Sequence, residues 1–194
     1  MLSVIIGTKN DERALVRTLS ALVPAAATGT VREVIVADGG STDDTLEVAD
    51  IAGCDAMINN LPLAQRLKEA AAKARSPWLM FLRPGVILEA AWADEATQFV
   101  QQMDLSDDLR AAAFRRSVNA VGSTSPFSEA ISLLRASLIG TIDPSQGLVI
   151  AKRHYDKLGG HSASAADAES ELLSRIGRRR IVRLRSGAAM LAGS

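Results

Sequence analysis

The sequence predicts a single α/β domain, Rossmann-like, with a mostly parallel central sheet and helices on both faces. Three observations predict it. Short all-apolar runs of strand length recur at Val4–Ile6, Val34–Ala37 and Trp78–Leu82, the kind buried on both faces of a sheet. Each run stops at a turn of small residues or Pro-Gly. Helical periodicity then follows the turn, so strand, turn and helix alternate.

Taken in order, Val4–Ile6 is the first strand, and Asn10 or Asp11 caps a helix whose Leu15, Leu19 and Leu22 share one side. Pro24 is expected to close that helix. Val34–Ala37 is the second strand, and Ser41 with Asp44 three residues on reads as a capping box for a helix running to about Ala52. A weaker strand at Ala56–Ile58 precedes a helix over Leu63–Ala74, with Leu67 and Ala71 facing inward. Trp78–Leu82 is a central strand ended by Pro84-Gly85, and one long helix is expected from there through Met103.

The second half is less regular. A strand is expected at Ala111–Phe114, a loop at Val121–Pro126 and a helix near Glu129–Ser137. Gly147–Ala151 reads as a strand, and Lys152–Leu158 as a short helix ended by Gly159-Gly160. A helix at Ala165–Ile176 and a strand at Ile181–Leu184 complete the pattern. Residues 1–105 and 106–194 are expected to be two halves of the same domain.

Composition excludes several functions. Lys and Arg number 22, as do Asp and Glu, so the whole-protein field draws in neither nucleic acid nor an anionic membrane. Aromatics are scarce, which argues against a stacking platform for single strands. No apolar run is long enough to span a bilayer, leaving peripheral membrane contact as the closest approach. Cys54 is the single cysteine, and the start MLSVIIG lacks the basic and long apolar regions of a signal peptide, so a cytoplasmic location is expected.

Ligands of open α/β sheets sit beyond the carboxyl ends of the strands. Four segments point there: Gly7–Glu12, Asp38–Asp43, Arg83–Val86 and the stretch Asp167–Glu171. Asp38 stands where a buried strand meets a glycine turn. Its carboxylate suits a base N–H or ribose hydroxyls, with Gly39 and Gly40 admitting a ligand close to the backbone. Neither GTKNDE nor DGGSTD has the spacing of a dinucleotide fingerprint or a P-loop.

SVIIGTKNDE (Ser3–Glu12) and VIVADGGSTDDT (Val34–Thr45) resemble the first two strands of the family 2 glycosyltransferases of the GT-A fold, which read SVIIPTxNE and VIVVDDGSTDxT. QRLKEAAAKARSPWLMFL (Gln65–Leu82) is similar to the segment leading to that family's metal motif. QGLVIAKRHYDKLGG (Gln146–Gly160) and AESELLSRIGRRRIVRL (Ala168–Leu184) resemble its later segments. The resemblance implies a nucleotide-sugar donor, UDP- or GDP-linked, and an acceptor it does not identify. It places Thr8 and Glu12 near the base or ribose, Asp38 on the base, and Asp43 as a weaker neighbour. The family's inverting members use a late acidic residue as general base toward the acceptor hydroxyl. Alignment on Glu171-Leu172 makes Glu169 and Asp167 the candidates, Glu169 preferred.

One departure from the family pattern is serious. After WLMFL the family carries an acidic DxD motif for Mg²⁺ or Mn²⁺, and this chain reads Arg83-Pro84-Gly85, which offers a hard cation no carboxylate. Either Arg83 replaces the metal by pairing with the diphosphate, or the site binds without catalysing. Plainer roles stand beside these. Asp38, Ser41 and Asp43 are also ordinary turn and cap residues; Glu12 also complements a helix dipole; Asp167 and Glu169 also suit a solvated helix face. His154 and His161 are expected at the surface or behind a site, Cys54, Trp78 and Trp92 in packing, and Arg178–Arg180 with Arg183 and Arg185 on a solvated face.

Overall fold

A computed structural model describes residues 1–106, 108–117 and 142–190. The elements in chain order are β1 (Leu2–Thr8), α1 (Glu12–Ala27), β2 (Val31–Asp38), α2 (Thr45–Ile51), β3 (Asp55–Ile58), α3 (Leu63–Lys73), β4 (Trp78–Leu82) and β5 (Val86–Leu88). They continue with α4 (Trp92–Ser106), β6 (Ala111–Arg116), a 3₁₀ turn (Pro144–Gln146), β7 (Leu148–Ala151), α5 (Lys152–Lys157), α6 (Ala168–Ile176), a second 3₁₀ turn (Arg178–Arg180) and β8 (Ile181–Met190).

One curled sheet runs in the order β3-β2-β1-β4-β7-β6-β8-β5. The strands β3, β2, β1 and β4 are mutually parallel, as are β6 and β8, while β7 runs against both its neighbours and β5 against β8. The alternation of side chains along each strand divides the core in two. Val4, Ile6, Met80 and Leu82 pack with Leu15, Leu19, Trp92 and Phe99 under α1 and α4. Ile5, Leu79 and Phe81 pack with Leu67, Ala71, Tyr155 and Leu172 under α3, α5 and α6. Met80 is wholly buried, and its truncation to Ala costs about 2–5 kcal/mol.

Several boundaries differ from expectation. Helix α1 runs through Pro24 to Ala27, because the Pro24 carbonyl still accepts from Thr28 N at 3.1 Å. The missing N–H forfeits a single bond in the last turn. The long helix expected after Pro84-Gly85 is interrupted by β5, whose apolar Val86–Leu88 merges with the helical pattern in sequence but pairs with Ala188–Met190. Strand β8 extends six residues past the expected Leu184, since the small residues Ser186, Gly187 and Ala188 fit beneath α4 and against Glu89. Ser41 does not cap α2; its hydroxyl donates to Asp38 instead. His154 and His161, expected at the surface or behind a site, are both 3% exposed, which removes the surface alternative. Trp78 and Trp92 are core as expected. The loop expected at Val121–Pro126 and the helix near Glu129–Ser137 lie outside the described residues.

Candidate functional site

Parallel pairing of β1 with β2 sets Thr8 opposite Asp38 at the carboxyl ends of the strands. Thr8 Oγ1 donates to Asp38 Oδ1 at 2.9 Å and Ser41 Oγ to the same oxygen at 2.5 Å. The backbone N–H groups of Gly40 and Ser41 donate to Oδ2 at 2.8 and 2.7 Å. Asp38 is fully buried. Burial works against its ionisation, but the hydrogen bonds from Ser41, Thr8 and Gly40 outweigh it and hold the carboxyl below its ordinary range. In this arrangement the carboxylate shapes the turn and offers no vacant acceptor of its own. Gly40 makes the turn possible: its φ is +79°, and a Cβ there would collide with Asn60 Oδ1.

The loops after β1 and β2 are tied to each other. Asn10, itself at φ +56°, receives at its side chain the N–H of Thr42 and gives its own N–H to Ser41 Oγ, both at 2.8 Å. Asp43 accepts from Glu12 N at 3.2 Å and Thr45 N at 3.1 Å, so one carboxylate serves the starts of α1 and α2. Hydrogen bonding from Thr45 holds Asp43 below the ordinary carboxyl range. The side chain of Glu12 makes no hydrogen bond or ion pair among the described residues.

Arg66 on α3 locks this half from beneath. Its Nη1 donates to Thr8 O at 2.9 Å and to Ala37 O, and its Nε to Leu61 O at 3.1 Å. It is 7% exposed, and a Cβ on Gly39 would stand 3.0 Å from its Cζ. Sequence reasoning passed over Arg66. Its signal is an Arg among Ala64, Leu67, Ala70 and Ala71, the inward stripe of an otherwise amphipathic helix.

The other half forms around Arg83, the first residue past β4. Its turn is fixed to α1 by Gly85 N, which donates to Ala14 O at 3.0 Å and Thr18 Oγ1 at 2.9 Å. Arg83 Nε donates to Glu169 Oε2 at 2.7 Å, and Nη2 lies 3.6 Å from Asp167 Oδ1. Residues 86 positions apart in sequence thus meet across the crevice. Glu169 has 12% of its side chain exposed, and burial raises its pKa against the opposing charge of Arg83. Asp167 caps α6 by accepting from Ser170 N at 3.2 Å and Ser170 Oγ at 2.7 Å, which lowers its pKa. Asp143, a further acid unmarked by sequence, lies close enough to Arg83 and Glu169 to bear on their charges.

Between the halves lies a crevice of about 310 Å³, lined by Gly7, Asp11, Leu67, Leu82, Arg83 and Glu169 among others. Thr8 and Asp38 are buried and do not line it. The described residues around this crevice do not fit a divalent cation. Glu169, which lines the crevice with Asp11, and Asp167 face the Arg83 guanidinium, and no group of three or more Asp, Glu, His or Cys suited to a metal occurs among the described residues.

Residues 3–82 match the sequence model of glycosyl transferase family 2. A search of curated proteins finds no match. Among solved structures, Staphylococcus aureus TarS 1–349 superposes with a TM-score of 0.69 at 17% identity, covering 97% of this chain and 60% of its own. The same TarS fragment in complex with UDP-GlcNAc gives 0.66 at 18% identity, with 100% and 59% covered. Glucosyl-3-phosphoglycerate synthase from Mycobacterium tuberculosis, in complex with Mn²⁺, UDP and glucosyl-3-phosphoglycerate, gives 0.66 at 18% identity, with 100% and 73% covered. The chain therefore spans about three-fifths of the TarS fragment. No helix among the described residues is long and apolar enough to cross a membrane. The described residues thus share the GT-A fold of these glycosyltransferase structures, and residues 3–82 are similar in sequence to glycosyl transferase family 2.

Proposed function

We propose that the protein transfers a sugar from a UDP- or GDP-linked donor to an acceptor hydroxyl by a single inverting displacement, with Arg83 serving the diphosphate where relatives carry metal-binding acids. Residues 1–105 hold the nucleotide, with Thr8, Asp38 and Gly40 shaping its loop and Glu12 at the loop's rim. Residues 106–194 supply Glu169 as the general base, with Asp167 beside it. The observation that carries this reading is the 2.7 Å contact between Arg83 Nε and Glu169 Oε2 at the mouth of the crevice.

A diphosphate and Glu169 compete for one guanidinium. When the donor draws Arg83 to its phosphate oxygens, Glu169 loses its counter-charge while still buried, and its proton affinity rises. A better base then faces the acceptor. The acceptor proton passes to Glu169, the oxygen bonds to the anomeric carbon, and the bond from that carbon to phosphate breaks, leaving the nucleoside diphosphate paired with Arg83. The cytoplasmic location expected from Cys54 belongs to this proposal.

A second reading is a sugar-nucleotide-binding or scaffolding homologue without turnover. It is favoured by a general-base candidate held in an ion pair and by an Asp38 with every hydrogen bond filled. Calorimetric titration with UDP and GDP, each with and without Mn²⁺, followed by a donor-sugar turnover panel, separates the two. The proposal expects binding that does not require Mn²⁺ and weakens at least about tenfold in Arg83→Met, the loss of a charge-assisted contact. It also expects turnover lost in Glu169→Gln with binding retained. Binding without turnover of any donor would favour a binding homologue, and absence of all binding would sink the transferase reading and favour scaffolding.

A further inference from the structure

A second cleft, of about 830 Å³, opens between α3 and the turn Gly159–Ser162 and shares no residue with the crevice at Arg83. Its distinctive member is His161. The ring is packed edge-on to Phe81 at 4.8 Å and 76°, and Nδ1 lies 2.8 Å from Tyr155 Oη. Tyr155 Oη also accepts from His161 N at 3.2 Å. Gly160, at φ +72°, brings this turn close, since a Cβ there would lie 3.0 Å from the Tyr155 ring.

These contacts fix the histidine tautomer. The Tyr155 hydroxyl, 2% exposed at the residue level, has a single proton and no acceptor but His161 Nδ1 among the described residues. The hydroxyl therefore donates to Nδ1, and the imidazole proton resides on Nε2. Burial, reinforced by Arg175, pushes the His161 pKa down to about 4, so the ring is neutral at pH 7. Nε2–H has no partner among the described residues and is not sealed off from solvent, although the residue is 3% exposed. It is a lone donor at the floor of the cleft.

The walls complete a donor and acceptor set. Arg175 is closed: its Nε donates to Glu171 Oε1 at 2.9 Å, and its other nitrogens to Glu171 Oε2 and Leu158 O. Lys68 has no ion pair among the described residues. Glu69 gives one oxygen to Asn59 Nδ2 at 2.8 Å and keeps the other. Gln65, Lys68 and Glu69 share one face of α3 by their three- and four-residue spacing. One cation and one neutral N–H thus stand beside two groups able to accept hydroxyl protons.

We propose that this cleft binds a small hydroxylated anion, a sugar acid or a sugar phosphate, with its anionic oxygen on Lys68 Nζ and His161 Nε2–H and its hydroxyls on Gln65 and Glu69. The site is separate from the crevice and does not depend on the transferase reading.

Long-range ¹H–¹⁵N spectroscopy at pH 7 is expected to show His161 protonated on Nε2. Titration with gluconate, glucose 6-phosphate, inorganic phosphate and glucose, read by calorimetry and by the His161 resonance, tests the ligand class. Gluconate or glucose 6-phosphate is expected to bind saturably at millimolar concentration or below, and which of them binds tells carboxylate from phosphate. Glucose and inorganic phosphate, each lacking half of the contacts, are expected to bind at least about tenfold more weakly. Lys68→Met, at an exposed position, should weaken the binding at least about tenfold, whereas Arg83→Met should leave it unchanged. His161→Gln, which keeps a donor near Nε2, should retain more affinity than His161→Phe. If His161→Phe fails to fold, the tautomer and the Lys68→Met titration still decide. An Nδ1-protonated ring, no saturable binding of either hydroxylated anion, equal binding of inorganic phosphate, or affinity unchanged in Lys68→Met would each overturn the proposal.

Discussion

Lowering the pH from 7 to 5 loads protons onto the unfolded chain at His161 but not onto the folded protein. The unfolded histidine titrates near 6.5, whereas the folded one is pushed down to about 4 by burial, with the charge of Arg175 adding and that of Glu171 opposing. The sign follows from linkage: the unfolded state binds more protons, so stability falls as pH drops through 6.5 and levels off below about 4. At 1.36 kcal/mol per pKa unit, the full effect is roughly 3 kcal/mol, of which roughly 2 kcal/mol is lost by pH 5. With a urea slope of about 2 kcal/mol per molar, the denaturation midpoint moves by about 1 M. Urea unfolding at pH 7, 6 and 5 measures it, and His161→Gln supplies the contrast. His154, also held below its ordinary range by burial, contributes with the same sign in both proteins and cancels from their difference. Midpoints that fall in parallel for the wild type and His161→Gln would refute the reasoning.

Arg83→Met removes the counter-charge from a buried Glu169 and should raise the Glu169 pKa further, read by ¹³C titration of its carboxyl. Because Arg83 is 35% exposed, the stability loss should stay near about 1 kcal/mol. Gly40→Ala should cost at least about 1 kcal/mol in urea unfolding, since its backbone is left-handed and Asn60 blocks the new methyl. Arg66→Met removes one donor each from the carbonyls of Thr8, Ala37 and Leu61, of which Thr8 O keeps the Gly39 N–H, and should cost roughly 2–3 kcal/mol by thermal unfolding.

The N-terminal half was legible because its signals are local. Val4–Ile6, Val34–Ala37 and Trp78–Leu82 are buried on both faces, and an apolar run between turn signals reports that state directly. Strand β5 and the far end of β8 were not, because RSGAAM carries little strand propensity and is held by Glu89, Glu95 and pairing with Val86–Leu88. Thr8, Asp38 and Gly40 were singled out on the chain, yet it was not visible that four hydrogen bonds would fill the Asp38 carboxylate. Likewise Arg83 and Glu169 were each marked, but their meeting depends on β4 and α6 converging, which no local pattern encodes. For His161 the chain left surface and interior open, because its burial comes from Tyr155 and Phe81, which pack on the ring from other elements and from across a turn.

Arg66 bears on what happens when a ligand arrives. A loop that must be organised by its ligand forfeits part of the gross interaction energy to lost chain freedom. Here the ends of β1 and β2 are joined by a guanidinium beneath them, and the loops beyond are already laced through Asn10, Ser41 and Asp43. The side of the crevice built by β1 and β2 is therefore preorganised. The entropy of association for any occupant should reflect the ligand and its released water far more than an ordering of the chain.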